Sequence, residues 1–432
     1  MAAPLTAREA RVRPERIRLL DVDADRIASD ITGLDAYRCV RVLVRLHGAP
    51  VAMVDVPVRD GTCTAVDLEA AVRAALAGRR AHDDRPERTD RAETPGAGSR
   101  STAPAGATLP PLTVAVCTRD RPDDLADCLD ALLRLDYPDL EILVVDNAPA
   151  TQATADVCAA RAGVRRVVEP RPGLDWARNR AVLEASGDII AFTDDDARAD
   201  PDWARNIVAP FVADPHVMAV AGLIVPLELE TPAQILFEEY GGLSGGFAPI
   251  TLRPGADWGV RGVWHYALMA PHGSGANMAF RRSVFASTGW FDPALDVGTP
   301  TNGGGDTEML FRVMAHGHAL AYEPRAIVRH RHRRDLAGLR RQVAGWGSGL
   351  FAFLMRSMTA RPAASWVLGL VGVRSLAHQV VRLVRPGGIP RSLILTELRG
   401  AAESPARYLL ARSRARSIER RFGPQEPGGT VR

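Results

Sequence analysis

The stretch "GDIIAFTDDDARADPDW", residues 187–203, runs an apolar segment into three consecutive aspartates, Asp194, Asp195 and Asp196, with Pro201 placed to open a helix. A short apolar run bounded by turn residues reads as a buried strand. Carboxylates side by side at its end repel and raise one another's pKa unless positive charge sits among them. Either the three are solvated groups before a helix, or the site is incomplete until a cation arrives.

The segments on either side repeat the same rhythm. "LTVAVC" (112–117), "LEILVVD" (140–146) and the weaker "VRRVVE" (164–169) read as strands, while "RPDDLADCLDALLRL" (121–135) and "LDWARNRAVLEAS" (174–186) read as helices. Strands alternating with helices predict right-handed βαβ units and a parallel sheet covered on both faces. Ligands bind such sheets beyond the carboxyl ends of the strands. Thr118 and Arg119, then Asp146 and Asn147, then the aspartate triplet stand at those ends, so three strand ends converge on one crevice.

The chain has 432 residues, 46% of them hydrophobic, and a formal net charge of +3. That length supports a large core and more than one domain. The near-balanced charge gives no reason to expect a nucleic-acid partner. Every basic residue among the 54 is arginine. Five cysteines without a CxxC pair fit reduced thiols rather than a disulfide framework or zinc site. The N-terminal residues lack a signal-like apolar core, and no uninterrupted apolar run reaches the roughly 18 residues of a membrane span. The expected location is cytoplasmic.

Residues 80–111, rich in Arg, Asp, Pro, Gly, Ser and Thr, read as a disordered linker. Before it, residues 1–79 form a small α+β unit with a hairpin around His47–Pro50 and an amphipathic helix closed by Gly78. Residues 112–335 form the α/β domain. Residues 336–422 are a helical C-terminal region, and 423–432 a flexible tail. The basic, apolar-striped C-terminal helices read either as a core appendage or as a peripheral contact with the inner face of the cell membrane.

Four segments together resemble a family 2 glycosyltransferase of the GT-A fold: "VAVCTRDRPDDLADCLDALLRLDYPDLEILVVDNA", "GLDWARNRAVLEASGDIIAFTDDDA", "GSGANMAFRRSVFASTGWFDPAL" and "GGGDTEMLFRVMAHGHALAYEPRAIVRH". The resemblance covers roughly residues 112–332. It implies a nucleotide-diphosphate sugar donor and Mn²⁺ or Mg²⁺, which suit oxygen ligands. In it, Asp196 binds the metal, Asp194 holds the ribose or shares the metal, and Asp195 points away. Asp146 meets the nucleotide base, Thr118 and Arg119 the nucleoside, and Arg178 the diphosphate, with Arg171 a second candidate. Arg178 could equally pair with Asp175 or Glu184. Gly275, Ala276 and Asn277 line the sugar pocket. His330 is a further metal ligand, with His332 as competitor.

Asp306 matches the family's catalytic base, with Gly305 where the family has another acid and Glu308 able to compensate. The competing reading makes Asp306 part of an acidic helix cap. A base at Asp306 implies a single in-line displacement that inverts the anomeric carbon, passing the sugar to a saccharide or lipid-linked acceptor in cell-envelope polysaccharide or glycoconjugate synthesis. Two other functions compete. A sugar-nucleotide nucleotidyltransferase would want a glycine-rich first loop, which "CTRDRPDD" is not. A non-catalytic nucleotide-sugar-binding scaffold would not need Asp306.

Overall fold

A computed structural model of the chain describes residues 16–26, 29–83, 108–254 and 274–425. The N-terminal unit is a three-stranded sheet of β1 (Arg16–Asp23), β2 (Tyr37–Leu46) and β3 (Ala49–Pro57), backed by α1 (Ala65–Asp83). The expected hairpin joins β2 to β3. Its two turn residues, His47 and Gly48, have φ of 51° and 80°, the pairing that matches the twist of the flanking strands. Strand β1, parallel to β2, and the extension of α1 beyond Gly78 to Asp83 were not foreseen. The unit docks on the main domain: Ile17 N–H donates to Leu229 O at 3.0 Å, and Ile17, Cys39, Leu229 and Ile235 form one buried apolar cluster. Most of the expected linker, residues 84–107, lies outside the described residues.

The main domain alternates as its sequence requires: β4 (Leu112–Thr118), α2 (Pro122–Leu132), β5 (Leu140–Asn147), α3 (Ala153–Ala159), β6 (Val164–Glu169), α4 (Leu174–Glu184) and β7 (Ile189–Asp194). Next come β8 (Ala197–Ala199), α5 (Trp203–Ala213), β9 (Val217–Pro226), α6 (Pro232–Tyr240), β10 (Ile250–Leu252), β11 (Asn277–Arg281), α7 (Val284–Thr288), α8 (Gly305–Ala315) and β12 (Ala319–His330). The sheet order is β10-β12-β9-β11-β7-β4-β5-β6, with β8 paired to β12. Strands β4 to β7 are mutually parallel, and β11 runs antiparallel between β7 and β9. The chain leaves β4 toward β6 and then crosses to β7 on the opposite side of β4. That reversal opens the crevice where such sheets bind ligands. Apolar clusters cover both faces, one built around Phe192, Phe280 and Phe291, the other around Trp203, Ile207 and Phe211.

Helix α4 departs from the amphipathic pattern. It buries Asp175, Arg178 and Asn179 along with Trp176 and Ala177, so it carries charge into the interior. Helix α5 begins at Trp203 with Asp202 as cap, two residues after the proline expected to open it.

Three helices complete the fold: α9 (Leu336–Ala360), α10 (Ser365–Val384) and α11 (Arg391–Phe422). Helices α9 and α11 cross at backbone contact. A Cβ on Gly347 would meet Glu397 O at 2.1 Å, and one on Gly400 would meet Ala344 O at 2.2 Å. Helix α9 also presses on the loop before Asp306, where a Cβ on Gly304 would lie 2.4 Å from Gly349 O. Gly303 and Gly304 of "GGGDTE" are thus required by packing: they let a helix of the C-terminal region buttress the loop that presents Asp306. The tail is not wholly free, because Arg171 Nη2 donates to the carbonyls of Gly423 (2.9 Å) and Pro424 (3.0 Å) and Gln425 Nε2 donates to Glu169 Oε2 at 2.9 Å. Residues 426–432 are outside the described set. Although no uninterrupted apolar run in the sequence reaches the roughly 18 residues of a membrane span, the helix over Pro362–Val384, with mean hydropathy 1.4 in its most apolar window, is by length and composition able to cross a membrane.

Candidate functional site

Strand β7 delivers Asp194 to the β4/β7 reversal, and β12 brings His330 to the same place by pairing with Ala197 on β8. The ligand atoms of Asp194, Asp196 and His330 all lie within 4.8 Å of one another. His330 Nε2 stands 3.1 Å from Asp196 Oδ1 and 3.9 Å from Asp194 Oδ2, and the Asp194 side chain keeps 35% of its surface exposed. Two carboxylates and one imidazole on an open-sided site form a donor set that suits Mn²⁺ or Mg²⁺.

A chain of histidines sets the tautomer. His330 Nδ1 lies 3.2 Å from His332 Nδ1, and His332 Nε2 lies 2.9 Å from Glu238 Oε1. A carboxylate only accepts, so His332 Nε2 carries hydrogen, its Nδ1 accepts, and His330 Nδ1 donates. That leaves His330 Nε2 facing two carboxylates, where the network favours positive charge: a proton on the imidazole or a metal ion. Burial alone would lower the His330 pKa, but Asp196 and Asp194 outweigh it and hold the pKa above the ordinary value. His332, buried between Glu238 and Phe237, is pushed down and does not reach the aspartates as a ligand. Its place is behind His330, orienting it.

The middle aspartate points away from this cluster, as expected, but is not solvated. Asp195 accepts from Thr118 Oγ1 at 2.8 Å and from Arg121 Nη1 at 2.7 Å, while Arg121 Nη2 reaches Asp196 Oδ2 at 2.9 Å. Burial still lifts the Asp195 pKa to about 7 against the pull of Arg121. Positive charge among the aspartates is therefore partly built in. Arg121, not singled out from sequence, supplies it. Arg119 instead leaves 52% of its side chain exposed beside Asp120. Arg121 had one legible signal: it occupies the cap position of α2, where Ser, Thr, Asp or Asn is favoured and arginine has no capping role.

Asp146 is fully buried at the end of β5. Its Oδ2 accepts from Arg166 Nε (3.0 Å) and Nη2 (2.7 Å), whereas Oδ1 has no hydrogen-bond partner among the described residues. Arg171 pairs with Glu169 at 3.0 Å and stacks over Trp176, so it ties down the C-terminal tail and has little left for a diphosphate. Asn277, expected in the sugar pocket, holds the core together. Its amide donates to Leu223 O and Ala326 O at 2.9 and 2.8 Å and accepts from Trp203 Nε1 at 2.9 Å.

Arg178 and Asp306 meet beside the loop that enters β11. Arg178 Nη1 donates to Asp175 Oδ1 at 2.9 Å and to Asp296 Oδ2, not to Glu184. Gly275 N–H donates to Asp306 Oδ2 at 2.7 Å, and a Cβ on Gly275 would sit 2.1 Å from Arg178 Nη2. Glycine at 275 is what admits the guanidinium. Because Asn277 pairs with Thr193, Gly275 and buried Ala276 lie just beyond the end of β7, next to Asp194. Asp306 is not the cap of α8. Gly304 holds that position, with φ 96°. Burial, joined by Asp296, raises the Asp306 pKa despite Arg178 and the N–H groups of Gly275 and Thr307. Glu308 is held by Arg312 Nε at 3.1 Å and so does not stand in for a side chain at Gly305.

The model of glycosyl transferase family 2 matches residues 113–249, and that of glycosyl transferase family group 2 matches residues 189–388. The chain is 25% identical over 186 residues to the glucosyl-dolichyl phosphate glucuronosyltransferase of Haloferax volcanii, covering 42% of this chain and 56% of that one. It is 25% identical over 312 residues to the pre-mycofactocin glycosyltransferase of Mycobacterium tuberculosis, covering 68% and 60%. A third relative, the succinoglycan biosynthesis protein ExoM of Rhizobium meliloti, is 25% identical over 276 residues, covering 61% and 81%. The chain thus spans little more than half the length of the first two. A solved mannosyltransferase from Pyrobaculum calidifontis superposes with TM-score 0.49 at 17% identity, covering 77% of this chain and 94% of that one. The α/β sheet and the two family matches make residues 113–388 similar to family 2 glycosyltransferases, and that likeness spans the aspartate triplet, Asp306 and His330.

Proposed function

We propose that the enzyme is a metal-dependent, inverting transferase that moves a sugar from a nucleotide diphosphate to an acceptor hydroxyl. The observation that carries this reading is the convergence of Asp194, Asp196 and His330 within 4.8 Å at the sheet reversal. These three residues would hold Mn²⁺ or Mg²⁺, which as a Lewis acid offsets charge on the departing diphosphate. Asp196 is kept ionised there: its pKa is lowered because His330, Arg121 and Arg333 together outweigh burial.

Asp146 Oδ1, buried and without a hydrogen-bond partner among the described residues, is an acceptor for a ring N–H of the base. That chemistry favours uracil, thymine or guanine over cytosine, whose ring presents an acceptor there. Arg178 lends positive charge to the donor. It packs on Gly275, which donates to Asp306 and lies just beyond the end of β7 next to Asp194, so it is near both the metal end and the base. Asp306 takes the proton of the acceptor hydroxyl as it attacks, with its carboxylate aimed by Gly275 and Thr307 N–H. Attack from that side displaces the diphosphate in line and inverts the anomeric carbon.

The acceptor is a saccharide or lipid-linked glycan of the cell envelope. The relatives' names include a dolichyl-phosphate sugar and succinoglycan biosynthesis, which supports that class. Helix α10 leaves Trp366, Leu370, Val373, Val380, Val381 and Val384 exposed, an apolar stripe suited to peripheral contact with a membrane. The test is Asp306→Asn. It should retain metal-dependent nucleotide binding and lose transfer by at least a hundredfold. Transfer at the parent rate would make Asp306 a cap-region residue and remove the basis for inversion.

A further inference from the structure

Gly305 immediately precedes Asp306, and a Cβ built there would lie 2.2 Å from Asp175 Oδ2 and 2.9 Å from its Cγ. The space that a side chain at 305 would enter is therefore filled by a carboxyl group delivered from α4. That carboxyl is anchored on one side only. Oδ1 accepts from Arg178 Nη1 at 2.9 Å, while Oδ2 is buried and has no hydrogen-bond partner among the described residues. A buried carboxylate oxygen left unpaired is costly, and its presence in a native fold calls for a reason. Anchoring Arg178 explains Oδ1 and leaves Oδ2 unexplained.

Position supplies the reason. Asp175 Oδ2 faces Gly305 beside the base Asp306, while its Oδ1 holds Arg178. Arg178 packs on Gly275 just beyond the end of β7 next to Asp194, so Asp175 stands close to the interval that the transferred sugar must bridge between leaving group and base. A carboxylate accepts and a sugar hydroxyl donates. We infer that Asp175 Oδ2 binds a hydroxyl of the transferred sugar, and that residue 305 is glycine because the carboxylate reaches this space from residue 175. This rests on the nucleotide-sugar reading above.

The test compares binding of UDP, GDP and dTDP with that of UDP-glucose, UDP-N-acetylglucosamine, GDP-mannose and dTDP-rhamnose, each with Mn²⁺. The ratio of affinities isolates the sugar. Asp175→Asn keeps an oxygen for Arg178 but turns the free oxygen into a donor. Asp175→Ala/Gly305→Asp returns a carboxylate to the same space from the other segment. Asp175→Asn should bind the nucleoside diphosphate within twofold of the parent, which also reports folding, and in it and in Asp175→Ala the ratio of nucleotide-sugar to nucleoside-diphosphate affinity should fall about tenfold. The double variant should regain it, whereas Gly305→Asp alone, with two carboxylates in one space, should not. Full sugar affinity in Asp175→Asn and Asp175→Ala overturns the inference. So does a double variant that binds the diphosphate normally but recovers nothing. If no nucleoside diphosphate binds the parent, the donor reading itself fails and the inference falls with it.

Discussion

Replacing Asn277 with alanine distinguishes a core tie from a sugar contact. The side chain is fully buried and serves Leu223 O, Ala326 O and Trp203 Nε1, joining β9, the irregular stretch of β12 and α5 through one amide. Alanine leaves all three groups without that partner, and an unsatisfied buried group costs about 1–3 kcal/mol. The low end for three groups is about 3 kcal/mol, before any cavity term. For a domain of this size that corresponds to a fall in Tm of roughly 6–12 °C. Thermal unfolding followed by near-UV circular dichroism measures it. Trp203→Phe removes only the indole donor, and the double variant should lose at least about 1 kcal/mol less than the sum of the singles, because the shared hydrogen bond is counted once. A melting point within 2 °C of the parent, with nucleotide-sugar affinity reduced, would refute the structural assignment and return Asn277 to the sugar pocket.

Further outcomes follow from the same geometry. Asp306 must be ionised to act as a base and its pKa is raised, so the acid limb of kcat/KM should lie above the ordinary carboxylate value of ~3.9. Asp296→Asn removes a neighbouring negative charge and should move that limb to lower pH; a limb that stays put or climbs contradicts the assignment. Glu238→Gln weakens the acceptor that sets the His332–His330 tautomer, and should reduce Mn²⁺ affinity by roughly ten- to a hundredfold in calorimetry. Unchanged affinity would remove His330 from the ligand set. Leu370→Glu with Val381→Glu, on the exposed stripe of α10, should abolish co-flotation with anionic vesicles while leaving nucleotide binding intact. Equal flotation of both proteins would count against that face as the contact.

The alternation of apolar strands and helices from residue 112 onward was readable because both faces of the parallel strands are buried, which forces continuous apolar runs. The aspartate triplet and Asp146 could be singled out as polar residues at strand ends and Asp306 as an acid in the first turn of a helix, whereas Arg178, inside α4, stood out only through the resemblance. What stayed hidden depends on distant partners. Nothing local to Gly305 tells that Asp175, 130 residues earlier, occupies its space. Nothing local to Asn277 tells that Trp203 and two strand carbonyls consume its amide. Arg119 and Arg121 differ only in which way the chain turns at Asp120, whose φ is 53°. The polar interior of α4 was likewise masked by an ordinary helical sequence.

Thermal stability of the parent and of Asp196→Asn, measured against UDP, GDP, dTDP and CDP with and without Mn²⁺, bears most directly on the metal-dependent donor site. One nucleotide should stabilise the parent only when Mn²⁺ is present, by about 2.7 kcal/mol at 100 times its Kd, and Asp196→Asn should lose that gain. Stabilisation that ignores Mn²⁺, or that survives Asp196→Asn undiminished, would contradict a metal-held donor at Asp194, Asp196 and His330.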